Sequence, residues 1–429
     1  MSFEADVAVV GAGAAGLAAA RLLTRHGLSC VLLEASTLVG GRLRTLRRPD
    51  WQMPIELGAE FVHGRPAPTL ALGGGAIGLV HVPERRVMVK TRPQPMHDTW
   101  RRFALALEAA RAAPPDESMA QYLERAKLPS ELEQLVRMIV EGYDAAPLDD
   151  VSARVIAEAS APAAEGFEQY RTAQGYDRVL ASIEQALPAA RTRVLLGKRV
   201  TRIAWSRRKV ELEAEGGESL HIAAKRCLVT VSIGVLQAPA SQSGIDFVPE
   251  PPEFRENLRH LAMGRVVRVV LRFQQAPWVP ALEGVEASFV HVPDAPFGTL
   301  WREARAGQVQ ITAWAAGPPA LSLMYLEEPA LIEAALASLA RAAGVDIGSC
   351  RATLREAHFH DFNRDPLTRG AYSYVRPGGQ GAARRLAEPW EDTLFFAGEA
   401  VDLQHPGTVA GALGSGEHAA RRIVATWNE

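Results

Sequence analysis

The sequence predicts an α/β fold: a Rossmann-type dinucleotide-binding domain interrupted by an inserted α+β domain. Three observations predict it. The chain opens with a β-branched run, a glycine turn and an Ala/Leu/Arg-rich segment, which read as strand, phosphate-binding turn and helix. A second apolar strand ending in Gly-Glu lies near the C-terminus, at Leu394–Glu399. Between these ends lie long stretches with helical and strand periodicities of their own.

Composition bounds the function. At about 100–200 residues per domain, 429 residues suggest about two to four domains. The net charge is −2, so no bulk field draws in nucleic acid or anionic lipid. A hydrophobic fraction of 48% with 22% charged residues is that of a globular chain. The three cysteines, Cys30, Cys227 and Cys350, are far apart and odd in number. That excludes a disulfide scaffold and a Cys-rich metal cluster and fits a reducing cytosol. No apolar run approaches the roughly 18 residues of a membrane span. The longest one near the C-terminus is broken by Glu417, His418, Arg421 and Arg422. Val7–Val10 leads straight into the glycine turn, so it is not read as a signal peptide. The expectation is a soluble, cytoplasmic protein with no nucleic-acid, membrane or metal partner.

The N-terminal elements follow in order. Ala5–Val10 reads as a buried parallel strand. Gly11-Ala12-Gly13-Ala14-Ala15-Gly16 is the turn, Leu17–His26 the helix, and Gly27 its C-terminal stop. Gly11 permits the tight turn, Gly13 lets backbone approach a pyrophosphate, and Gly16 lets helix pack on strand. The helix N-terminus offers free N–H groups to phosphate, and Ala14 and Ala15 of the turn before it are candidate cofactor contacts. A second strand, Ser29–Leu33, ends at Glu34 and Ala35. Glu34 stands 18 residues past Gly16, where a carboxylate can accept from ribose hydroxyls and repel a 2′-phosphate. A second match to the glycine pattern, Gly73–Gly78, lacks a preceding strand and reads as a turn before a strand at Gly78–Val82. One dinucleotide site is expected.

Gly40-Gly41-Arg42 opens backbone beside the pyrophosphate and supplies a cation to it. Near the other end, Leu394-Phe395-Phe396-Ala397-Gly398-Glu399-Ala400 is a strand ending in Gly-Glu. Gly407-Thr408-Val409-Ala410-Gly411-Ala412 then opens a final helix, Leu413–Trp427. Together these motifs resemble the FAD-containing amine oxidases, the family of monoamine oxidases, polyamine oxidases and flavin-dependent histone lysine demethylases. The resemblance implies an FAD domain from 1–65, 172–240 and 375–429, and a substrate domain from 66–171 and 241–374. Within the latter, Asp98–Ala112, Ser130–Gly142 and Glu328–Ala343 carry helical periodicity. The implied cofactor contacts are Gly41, Arg42, Gly58, Ala59, Glu60, Val200, Gly398, Glu399, Thr408 and Val409, beside the N-terminal set. Val200 would lie on a strand Val194–Ile203, after a Gln174-Gly175-Tyr176-Asp177 turn. Leu228–Leu236 resembles the strand and turn that return to the FAD domain.

On the substrate side, Glu56–Gly64 resembles the segment that passes the flavin, and His63 matches the active-site histidine of polyamine oxidases. Phe61 stands where amino-acid oxidases of the family place an arginine, which speaks against an amino-acid substrate. Tyr372, in Gly370–Val375, matches one wall of the aromatic cage in front of the flavin. Ala371 stands where monoamine oxidases carry the flavin-linked cysteine, so the resemblance implies non-covalent FAD. Thr408 takes the place of the second cage wall, as in the demethylases. Ala262–Phe273 resembles a family strand whose lysine holds a water against the flavin; here that residue is Arg268. Phe362 and Leu367 replace two nearby tryptophans. Arginine stays charged and cannot act as a base. It is suited to stabilising superoxide or binding an acidic substrate group.

The implied reaction is hydride transfer to FAD from the carbon next to a neutral amine, imine hydrolysis, and reoxidation by oxygen with release of hydrogen peroxide. Two alternatives stay open: an FAD desaturase or oxidase of a carotenoid- or porphyrinogen-like compound, and a catalytically weakened FAD-bound binding protein. Other motifs read as structural. His358-Phe359-His360-Asp361 places two histidines on one strand face without a third ligand. Gly414-Ser415-Gly416 sits in a small-residue helix, not a nucleophile elbow. Arg207-Arg208-Lys209 reads as a hairpin tip.

Overall fold

The computed structural model describes residues 2–72, 78–82, 85–88, 94–112, 115–161, 168–218, 220–274, 276 and 288–428. The Gly73–Gly78 glycine run lies mostly outside them. The strand that follows it is Leu79–Val82.

An eight-stranded sheet carries the nucleotide-binding half. Its parallel part runs in the order Thr192–Leu195, Cys30–Leu33, Ser2–Val10, Leu220–Val229, Leu394–Phe396. These strands are apolar because both faces are buried, one against helices and the other in a cluster with Arg199–Ser206 and Lys209–Glu215; Val7, Ala8, Val9 and Leu32 have no exposed surface. The long strand Leu220–Val229 serves two neighbours on one edge. Its first half pairs antiparallel with Lys209–Glu215, and its last three residues pair parallel with Leu394–Phe396. Arg207 and Arg208 form the tip of the hairpin joining Arg199–Ser206 to Lys209–Glu215.

Two helices pack beside the glycine turn. The first is Ala14–Arg25, starting three residues before the expected Leu17 and ending at Gly27 with φ +87°. The second is Val409–Ala425 rather than Leu413–Trp427, because the Thr408 hydroxyl accepts from the N–H of Gly411 and caps it early. They cross closely: a Cβ on Gly416 would stand 2.2 Å from the carbonyl oxygen of Ala15. Ser415, between two helical glycines, donates to the carbonyl of Gly398.

The other half holds a seven-stranded sheet, in the order Leu354–His358, Val266–Phe273, Gln308–Ala316, Thr299–Arg305, Ser288–His291, Arg85–Met88, Gln94–Pro95. Glu328–Ala343 is the expected helix and packs against this sheet. Helices Met96–Ala106, Ser130–Gly142 and Ala153–Ser160 form a separate apolar cluster.

Four further expected elements differ. Val194–Ile203 is two strands, Thr192–Leu195 and Arg199–Ser206. Gly197 turns between them at φ +66° while the N–H of Lys198 donates to the carbonyl of Glu34. Ala262–Phe273 is also two strands, broken after Met263, because Gly264 pairs with the Ala371–Tyr372 segment. Asp98–Ala112 breaks at Leu107 into Met96–Ala106 and Glu108–Ala112. The strand at Leu354 ends at His358, so His360 does not share its face. His358 pairs with Glu356, and His360 with Asp365.

Candidate active site

A continuous cavity of about 1500 Å³ runs from the C-terminal ends of the parallel strands to the seven-stranded sheet. At one end lie Gly11, Glu34, Ala35 and Val200; in the middle Gly13, Ala14, Ala15, Gly41 and Arg42; at the far end Gly58, Ala59, Glu60, His63, Arg268, Phe362, Tyr372, Gly398, Glu399, Thr408 and Val409. Gly16 does not line it. A Cβ there would lie 2.0 Å from the carbonyl oxygen of Gly11, which is the close helix–turn packing its position predicts.

The nucleotide end is built to receive an anion. Gly13 caps the helix Ala14–Arg25 with no side-chain acceptor for the first N–H groups, so they face the cavity unshielded. A Cβ on Gly41 or Gly398 would meet nothing within 4 Å, leaving backbone at the wall. The Glu34 carboxylate, buried, accepts from the N–H of Ala12 at 2.8 Å and of Ser36 at 2.8 Å. It thereby fixes the turn while rimming the space where a ribose would sit. Arg42 is already partnered: Nη1 donates to Glu399 Oε1 at 2.8 Å and to the carbonyl of Ala371 at 2.7 Å. That pair ties the nucleotide half to the segment carrying Tyr372. These residues fit FAD. No cysteine is among the lining residues, and all three thiols are buried elsewhere.

At the far end Arg268 is the central cation. Strand Val266–Phe273 places it opposite Trp314. Nη1 donates to the carbonyl of Gly58 at 2.6 Å, Nη2 donates to Glu60, and the guanidinium lies 5.5 Å from the Trp301 ring. Glu60 also accepts from Arg171 and, at 3.1 Å, from Trp301 Nε1. Glu60 therefore lines the cavity with its carboxylate committed to two guanidiniums. Burial alone would raise its pKa, but Arg171 and Arg268 outweigh that and hold it below the ordinary carboxylate range.

Aromatic rings wall the remaining space. Phe61, Phe289 and Trp301 stand 5.4–5.6 Å apart, with Trp314 5.7 Å from Trp301. On the other side Tyr143 meets Trp100 at 5.0 Å and His63 at 5.8 Å. Burial pushes His63 down to about 4, so it is neutral at pH 7. The Tyr372 hydroxyl donates to the carbonyl of Tyr143, and burial, with the charge of Asp144, pushes its phenol up. Phe362 lines the cavity beside Gly58, its ring 3.3 Å from where a Cβ on Gly58 would be. Thr408 spends its hydroxyl on the helix cap. Sequence reasoning missed Trp100, Tyr143, Asp144, Arg171, Phe289, Trp301 and Trp314. None sits in a motif, and only strand pairing and helix docking bring them together.

A sheet with a parallel core and a helix N-terminus facing the cavity, joined by that cavity to an aromatic-lined chamber, defines an FAD-dependent oxidoreductase. Comparison narrows the class. The family model "Flavin containing amine oxidoreductase" matches residues 14–424. The chain belongs to that family. It is 28% identical over 98% of its length to lysine-specific histone demethylase 1 homolog 2 of Oryza sativa subsp. japonica, and spans 57% of that protein. It is 27% identical over 96% of its length to polyamine oxidase 3 of the same species, and spans 87% of it. Among solved structures, putrescine oxidase bound to putrescine superposes with a TM-score of 0.81 at 20% identity, covering 99% of this chain and 100% of that one. Cyclohexylamine oxidase from Brevibacterium oxydans gives 0.79 at 20% identity over the same shares. These two likenesses concern the fold.

Proposed function

We propose that the protein oxidises a small-molecule amine, with oxygen as electron acceptor. The carrying observation is the aromatic chamber of Tyr372, Tyr143, Trp100, Phe61 and Trp301, which opens on the same cavity as the dinucleotide cradle. When bound, FAD supplies the acceptor for a hydride from the carbon next to nitrogen, and oxygen takes up the electrons as hydrogen peroxide. The chain's residues supply orientation and dryness. Tyr372, fixed by its bond to Tyr143, presents a ring wall to the amine. The rings exclude water while the nitrogen lone pair assists departure of hydride. The imine product is hydrolysed. The three buried free thiols support a cytoplasmic setting.

The test is anaerobic mixing of the FAD-loaded protein with putrescine, spermidine, cyclohexylamine and hexylamine. Loss of the yellow flavin band with at least one amine, and peroxide on admitting air, is expected. If none bleaches it, the amine assignment fails; bleaching by a porphyrinogen or a carotenoid precursor would replace it. One observation favours a second reading, a weak oxidase: Arg268 is held by Glu60 and Gly58 rather than free to position a water. Rapid amine bleaching with reoxidation in air far slower than bleaching would select it.

A further inference from the structure

We infer that Asp144 takes the proton from the substrate's ammonium group and so delivers the neutral amine to the flavin face. This rests on the amine reading above. An amine of ordinary pKa enters at pH 7 as R–NH3⁺, whose nitrogen has no lone pair to assist hydride departure. One N–H bond must break first. The step is R–NH3⁺ plus the Asp144 carboxylate giving R–NH2 plus the Asp144 carboxylic acid, with the proton passing to solvent when the site reopens.

The geometry assigns that role to Asp144. Helix Ser130–Gly142 ends at the cavity, and the turn after it, Gly142-Tyr143-Asp144, forms part of the chamber wall. The turn is fixed on three sides. Trp314 Nε1 donates to the carbonyl of Gly142 at 2.9 Å, Tyr372 donates to that of Tyr143, and Gly264 packs against Ala145 so closely that its Cβ would lie 2.9 Å from that of Ala145. Gly264 also donates to the carbonyl of Tyr372 at 2.7 Å. The acid is thus set beside the ring that faces the reacting amine.

The other acids at this end are engaged. Glu60 holds two arginines, Glu399 holds Arg42, Glu158 accepts from Gln380, Glu168 from Tyr170, and Asp402 from the N–H of His405. Among the described residues, no donor or cation reaches the Asp144 carboxyl, and burial raises its pKa to about 7. The titratable groups packed on its turn are Tyr372 and His63, both uncharged at neutral pH; Trp100 and Trp314 complete the surround. On its own element, Glu141 lies outside the cavity lining. Because burial disfavours the charged forms, the neutral acid–amine pair is favoured over the carboxylate–ammonium pair, which lowers the cost of the transfer.

The experiment is the pH dependence of anaerobic flavin reduction, with whichever amine of the panel reacts fastest, in wild type, Asp144→Asn, Asp144→Glu and Glu141→Gln. Wild type and Glu141→Gln should rise through an apparent pKa near 7. Asp144→Asn should be about 100-fold slower at pH 7 and recover to within about 3-fold at pH 10, where the amine arrives neutral. Asp144→Glu should keep the neutral-pH limb. A loss in Asp144→Asn that is equal at every pH, or no loss, overturns the inference while leaving the amine reading intact. Absence of bleaching by any amine in wild type at any pH removes both. Should Asp144→Asn not load FAD, the Asp144→Glu profile decides: a limb unchanged in position and height supports the role, and a limb lost with full FAD content overturns it.

Discussion

Arg268 and Glu60 are the residues on which the far end of the cavity turns, with side chains only 5% and 4% exposed. Removing one partner of a buried pair leaves an uncompensated charge. Glu60→Gln should therefore lower the unfolding free energy by about 3 kcal/mol, read as a shift in urea midpoint. An unchanged midpoint would mean that solvent already screens the pair. The pH dependence has a defined sign. Because Glu60 titrates lower in the folded chain than unfolded, its contribution is complete above pH 4.5 and is lost as pH falls through the folded value. His63 acts in the window above. Its pKa drops from 6.5 to about 4 on folding, so the unfolded chain gains the proton first and stability declines as pH falls across that range. His63→Asn should flatten that slope in chemical denaturation measured at several pH values. At this scale Arg268, Tyr372 and His63 were legible because they stand in recognisable segments. Asp144 was not, since a single acid after a helix carries no spacing or period.

The pairing of helices Ala14–Arg25 and Val409–Ala425 shows what elements add to residues. The first presents its uncapped N-terminus to the cavity, and the second packs against it through Gly416. Gly416→Ala should displace Ala15, because the obstructing atom is a backbone oxygen that cannot swing away. The expected cost is about 1–3 kcal/mol, with a lower FAD-to-protein ratio after purification. Normal melting and full FAD content would show that the contact relaxes freely. Here the glycine turn and both helices were visible in the sequence, yet the helix starts were not. A cap such as Thr408 acts through one hydroxyl, while periodicity registers only once a full turn has passed. The splitting of Ala262–Phe273 at Gly264 is of the same kind: its apolar pattern continues, but its partner strand changes.

For the whole molecule, the cavity predicts that FAD and fold are linked. Added FAD should raise the melting temperature of FAD-depleted protein, by about 2.7 kcal/mol of stability at 100 times its dissociation constant. Acid precipitation should leave the flavin in the supernatant, since no cysteine lines the cavity. Flavin retained in the pellet would require another attachment. By itself the sequence determined the parallel sheet, the dinucleotide turn with Glu34, the return strand at Leu394–Phe396 and the family. Those are local patterns, in which strand, turn and helix follow one another within a few residues. Only the tertiary structure decided that Glu60 belongs to Arg171 and Arg268, that Arg42 belongs to Glu399, and that Asp144 faces the chamber without a partner among the described residues. The reason is physical: a charge acts on what lies within a few ångströms, and these groups are brought that close by packing between segments distant along the chain.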